Sequence, residues 1–81
     1  MPTYSANRKK APALVALGEA IQRIRNANGM SQEELALVAE VDRSYMSGVE
    51  RGASNVTVLN LVKIAGALNV SASNVLEKAG L

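Results

Sequence analysis

The chain has no cysteine, no histidine, no phenylalanine and no tryptophan, and only two prolines and two tyrosines. Without cysteine, a disulfide framework and a thiolate zinc site are excluded, and a reducing compartment fits the composition. Without histidine, the commonest general base and the commonest metal ligand are both missing. No catalytic residue, metal ion or cofactor is therefore expected. No apolar run approaches the roughly 20 residues that span a bilayer, and the first residues lack the apolar stretch of a signal peptide. The expectation is a cytoplasmic protein with no membrane partner. The missing large aromatics leave a core tiled from small aliphatic side chains. Hydrophobic residues make up 48% of the 81 residues, enough for one globular domain. Such a core is thin at this length, and oligomerisation is one usual remedy.

Charge is unevenly placed. The net charge is +2, but Arg8, Lys9 and Lys10 cluster near the N-terminus. Residues 11–81 hold six basic and seven acidic side chains, a net of −1. The basic excess alone thus says nothing about nucleic acid, and any such function must rest on where individual charges lie. Residues 1–12, with Pro2, Pro12, Ser5, Asn7 and the basic cluster, form an expected flexible arm, and 13–81 an expected folded domain. The arm serves either as a solubilising tail or to track along phosphates.

The rest is a series of short, punctuated helices. Leu14, Leu17, Ile21 and Ile24 recur at helical steps, and Asn28-Gly29 supplies a stop. Ser31 with Glu34 three residues on is a capping box. It opens a helix carrying Leu35, Ala36, Val38 and Ala39 that runs to about Glu40. Asp42 is the next cap, for a helix from Arg43 to about Arg51 with Met46, Val49 and Glu50 on one side. Thr57 caps a fourth helix with Leu61, Ile64, Ala65 and Leu68, and Ser71 a fifth with Val75 and Leu76. No stretch alternates with period two between turn signals, so the fold class is all-α, with five helices. Only Glu40 and Val41 separate Ala39 from Asp42. Two helices joined so tightly make a helix-turn-helix corner.

The residues at this corner carry a family resemblance. From Gln32 to Arg51 the chain runs QEELALVAEVDRSYMSGVER, which resembles the phage-repressor (Cro/repressor, XRE-like) helix-turn-helix. Ala36 takes the crossing position, Val41 ends the turn, and Met46 and Val49 fill the two inward positions of the third helix. The following NVTVLNLVKIAGALNVSASNVL is similar to the next two helices of that family. The run DRSYMSGVERGASN resembles the controller proteins of restriction–modification systems. The likeness covers about residues 13–78 and implies a lambda-repressor-like domain. One residue departs from the pattern. The family often has glycine in the turn, where Glu40 stands here; a positive φ at a non-glycine residue costs about 1 kcal/mol, so either that strain is carried or the turn has another shape.

Site residues follow from the resemblance and from placement together. The resemblance implies that Arg43 and Ser44 face base edges, where arginine donates two hydrogen bonds to guanine. The alternative is an exposed first turn, although arginine there opposes the helix dipole. Ser47 and Gly48 are expected one turn further along the same outward face, with Gly48 either admitting DNA or packing against a helix. Gln32, at a helix N-terminus that favours anions, and Tyr45 are placed to reach phosphate. Tyr45 is alternatively a half-buried core ring. The resemblance adds Arg51 and Asn55 as backbone contacts, against a merely solvated loop, and pairs Arg25 with Glu50 as a structural ion pair rather than assigning Arg25 to phosphate. Leu17, Ile21, Leu35, Val49, Ile64 and Leu68 are core candidates. Val58, Val75, Leu76 and Leu81 are surplus, and form either a two-fold dimer patch or ordinary exposed aliphatics.

The implied function is a homodimeric, sequence-specific transcriptional regulator of double-stranded DNA, with no enzymatic activity. Two third helices would enter successive major grooves of a pseudo-palindromic operator. Binding would exclude or recruit RNA polymerase according to where the site lies. The controller likeness implies control of the protein's own gene and of a linked endonuclease gene. A phage or plasmid repressor, an antitoxin-like regulator, and a protein-interaction module without DNA binding are the alternatives.

Overall fold

The structure, a computed structural model, describes residues 11–81. The basic cluster Arg8-Lys9-Lys10 and the expected arm, apart from its last two residues, lie outside the described residues. Five helices follow: α1 Pro12–Ala27, α2 Gln32–Ala39, α3 Arg43–Glu50, α4 Val58–Ala67 and α5 Ala72–Lys78. No strand occurs among the described residues. The domain begins one residue earlier than expected, because Pro12 opens α1 instead of ending the arm. Proline suits a first helical position, where its fixed φ is already helical and its missing N–H has no partner to lose.

The capping signals act as the sequence implies, with one exception. Ser31 Oγ accepts from the Glu34 amide at 3.0 Å and Glu34 Oε1 accepts from the Ser31 amide at 2.8 Å. Thr57 and Ser71 accept from the amides of Asn60 and Asn74. Asp42 occupies the N-cap of α3, but its side chain makes no cap hydrogen bond.

All five helices stop in the same way. After each comes a residue at positive φ: Gly29, Glu40, Gly52, Asn69 and Gly80. The following amide then bonds back to a carbonyl five residues earlier, as in Val41 N to Ala36 O at 3.0 Å. Four of these places hold glycine or asparagine, the residues that tolerate the left-handed region. Glu40, at φ 59° and ψ 46°, does not belong to that class. The expected strain at the corner is therefore present. Lys63 Nζ of α4 donates to the Glu40 carbonyl at 3.3 Å, which ties the turn to the body.

Each helix packs against two others, in the order α1, α3, α2, α4, α5 and back to α1. This ring encloses Leu17, Ile21, Leu35, Met46, Val49, Ile64, Leu68 and Val75, all buried. The six core candidates named from sequence are among them. Val38 is not: it and its neighbour Leu37 are exposed, because α2 turns only its Leu35, Ala36 and Ala39 side inward. Val75, expected at a dimer patch, is fully buried, whereas Leu76 packs against the core but stays partly exposed. The reason is the thinness of the core. A domain without large aromatics needs the apolar residues of α5 for itself, and α5 spends them on α1 and α4. Val58 and Leu81 do face solvent, with Leu59 and Val62. Among the described residues no single helix is long and apolar enough to cross a membrane.

Candidate nucleic-acid interface

Helix α3 has one open side. Arg43 and Ser44 in its first turn are exposed, Ser47 is half-exposed, and Arg51 just beyond its end is exposed. Arg43, Ser47 and Arg51 stand four residues apart and so form one stripe along the helix. Arg51 Nε reaches back to Ser47 Oγ at 3.4 Å, which lays the guanidinium along that stripe. Asn55 is exposed in the loop that follows.

Gly48 is not part of this face. It is buried, and a Cβ built there would run into Ser54 Oγ. The amides of Ala53 and Ser54 both donate to the Gly48 carbonyl, at 2.9 and 3.2 Å. The missing side chain makes room for the loop after α3 to fold onto the helix, not for DNA. The assignment of Gly48 to base contact is thereby corrected.

Behind the stripe lies a polar joint. Arg25 Nε and Nη2 donate to the two carboxylate oxygens of Glu50 at 2.7 and 3.0 Å, a bidentate ion pair shielded from solvent. Arg25 Nη1 donates to the Met30 carbonyl at 2.9 Å. Hydrogen bonding to Glu50 raises the Arg25 pKa above the ordinary guanidinium value, against the opposing effect of burial. Gln32 Nε2 donates to Glu50 Oε1 at 3.2 Å. The Gln32 side chain, expected to reach phosphate, is thus turned inward, and the anion it meets is Glu50. No buried side-chain nitrogen or oxygen among the described residues lacks a partner.

Tyr45 is half-buried, with its ring packed against the core and its hydroxyl accepting from Asn60 Nδ2 of α4 at 3.1 Å. The ring is therefore a core-edge residue with a polar tip. Sequence reasoning passed over Asn60, since no period or cap rule picks it out. It also passed over Gly18 in α1. A Cβ there would overlap the Val49 carbonyl oxygen and lie 2.7 Å from that of Glu50. Glycine inside a helix was the one signal of such a close approach. Among the described residues no cluster of acidic side chains could hold a metal ion.

Known proteins agree with this geometry. The helix-turn-helix family matches residues 21–74. The control protein C.SmaI of Serratia marcescens is 42% identical over 65 residues, spanning 80% of this chain and 77% of its own. The restriction–modification controller protein C.AhdI from Aeromonas hydrophila superposes with a TM-score of 0.79 at 42% identity, over 80% of this chain and 98% of that one. The controller protein C.Esp1396I, solved as a tetramer with its natural 35 base-pair operator, gives 0.76 at 37% identity, over 83% and 88%. The chain belongs to the helix-turn-helix family of DNA-binding regulators, as a homologue of restriction–modification controller proteins.

Proposed function

We propose that this protein is the controller of a restriction–modification system, a cytoplasmic homodimer that binds a pseudo-palindromic operator and regulates its own promoter and that of the endonuclease. The observation that carries the DNA-reading part is the open side of α3. Arg43, Ser44 and Ser47 are presented there by a helix whose other sides are packed. In this reading Arg43 donates to guanine N7 and O6, and Ser44 and Ser47 contact neighbouring bases. Arg51, Asn55 and the Tyr45 hydroxyl hold the sugar-phosphate backbone. Two copies of residues 12–81 pair through the exposed Val58, Leu59 and Val62 of α4, with the exposed Leu81. Their α3 helices then enter successive major grooves about one helical turn apart. The protein performs no reaction; occupancy excludes or recruits RNA polymerase. The controlled genes follow from likeness to C.SmaI and C.AhdI.

Selection of bound sites from random duplex DNA tests the reading and yields an operator. On that operator Arg43→Ala should cost about 1–3 kcal/mol per half-site and far less on scrambled DNA. Arg51→Ala should weaken both alike and reduce the log–log salt slope by about one unit for each phosphate that Arg51 neutralises. Equal losses on both duplexes for Arg43→Ala would make Arg43 another phosphate anchor.

A further inference from the structure

We propose that Asn60 is a positioning residue for DNA binding, which turns the Tyr45 hydroxyl into a dedicated donor toward a phosphate oxygen. The inference rests on the DNA-binding reading above. Asn60 sits in the first turn of α4, with its own amide fixed by Thr57 Oγ1 at 3.1 Å. Its side-chain Nδ2 donates to the Tyr45 hydroxyl at 3.1 Å. A phenol has one proton and two lone pairs. With one lone pair committed to Asn60, the proton points elsewhere, and among the described residues no protein acceptor takes it. The ring itself is held against the core. Tyr45, half-exposed on α3, therefore keeps its O–H free to donate, and a phosphate oxygen of a backbone running past α3 can only accept. The incoming N–H also polarises the hydroxyl and strengthens the bond it donates. Asn60 shares α4 with the exposed Val58, Leu59 and Val62, so the tyrosine is fixed by the helix that carries the proposed dimer face.

A double-mutant cycle tests this. Wild type, Asn60→Ala, Tyr45→Phe and the double variant are titrated against the selected operator and a scrambled duplex at several salt concentrations, with melting curves alongside. Asn60→Ala should weaken binding about three- to tenfold per half-site on both duplexes, the range one hydrogen bond controls. The salt slope should not change, because a neutral donor releases no counterion. In the Tyr45→Phe background the same substitution should do nothing further. Asn60→Asp preserves shape but removes the donor and accepts the phenol's proton, so it should bind at least as weakly as Asn60→Ala while melting near wild type. Undiminished binding by both Asn60 variants, or an Asn60→Ala effect of equal size in Tyr45→Phe, overturns the proposal. A wild type that selects no duplex refutes the DNA-binding reading and this inference with it. A wild type that binds while the cycle shows no coupling refutes the inference alone.

Discussion

A close approach of two helices in this domain sets a sharp test. Gly18 of α1 faces the end of α3, and an added Cβ would overlap the Val49 carbonyl oxygen and sit 2.7 and 2.9 Å from the Glu50 carbonyl oxygen and carbon. Two effects of Gly18→Ala oppose each other. Alanine in a helix interior gains about 1 kcal/mol over glycine. Overpacking a tight contact costs about 1–3 kcal/mol, occasionally more. Here every clashing atom is backbone, so no rotamer change gives relief, and the helices must part at the residue that carries the Arg25 ion pair. The cost lies at the upper end, and the net loss is about 1–2 kcal/mol. For a domain of this size that is a fall of roughly 5–15 °C in melting temperature, measured by far-UV circular dichroism at one fixed protein concentration. Gly48→Ala is the control. Its Cβ meets only the Ser54 hydroxyl, which can rotate away, since Ser54 Cβ stays at 3.6 Å. It should melt within a few degrees of wild type. If Gly18→Ala instead melts higher, as helix propensity alone requires, α1 and α3 do not approach as described.

Glu50→Gln leaves the Arg25 charge buried without a counter-ion and should lower stability by about 3–5 kcal/mol in a denaturant titration; an unchanged midpoint would mean the pair is exposed in solution. Because Glu50 raises the Arg25 pKa, the pair's stabilisation is complete below the unfolded guanidinium value and is lost only above the folded one. The melting difference between wild type and Glu50→Gln should therefore stay constant from neutral to about pH 10. Glu40→Gly removes a left-handed non-glycine residue and should raise the melting temperature by a few degrees, as a relief of up to about 1 kcal/mol gives; a fall would show the turn is unstrained. Val58→Asp should shift sedimentation at micromolar concentration from dimer to monomer without unfolding the protein, whereas an undisturbed dimer would place the interface elsewhere.

Much of the fold was legible because its signals are local. A Ser-x-x-Glu box, two hydroxyl caps and a three–four aliphatic stripe each act within one turn of chain. They marked the starts of α2, α4 and α5 and the inward face of α1. The site was legible only in part, because facing depends on partners far away in sequence. Spacing puts Ser47 and Gly48 side by side, but only the fold of Ser54 onto α3 decides that one is outside and the other inside. Gln32 was correctly placed at a helix N-terminus that attracts an anion. The anion was the chain's own carboxylate, eighteen residues on. Val75 and Leu76 were visible as surplus aliphatics, yet whether α5 turns them to a partner or to α1 and α4 is a matter of docking. Asn60 left no trace at all, since its meaning lies in one bond across fifteen residues to Tyr45.

The polar joint at Glu50 has a geometric purpose that an apolar contact would serve less well. One carboxylate collects Arg25 from α1 and Gln32 from α2, while Arg25 also holds the Met30 carbonyl between them. Such a pair adds little net stability over well-packed apolar side chains. A bidentate fork, however, fixes direction as well as distance, and the hydrophobic contact that could replace it is non-directional. Arg43 stands seven residues before Glu50 on α3, a rise of about 10 Å. A tilt of roughly 10° at the joint would move Arg43 by about 2 Å, more than the range of a hydrogen bond to a base. The double variant Arg25→Met/Glu50→Leu separates the two roles. Its stability to denaturant should match or exceed that of wild type. Its operator affinity should fall relative to scrambled DNA by about tenfold or more, because base contacts are more exacting than phosphate contacts. If the operator-to-scrambled ratio survives in a stable double variant, packing alone orients α3 and the ion pair is dispensable for reading.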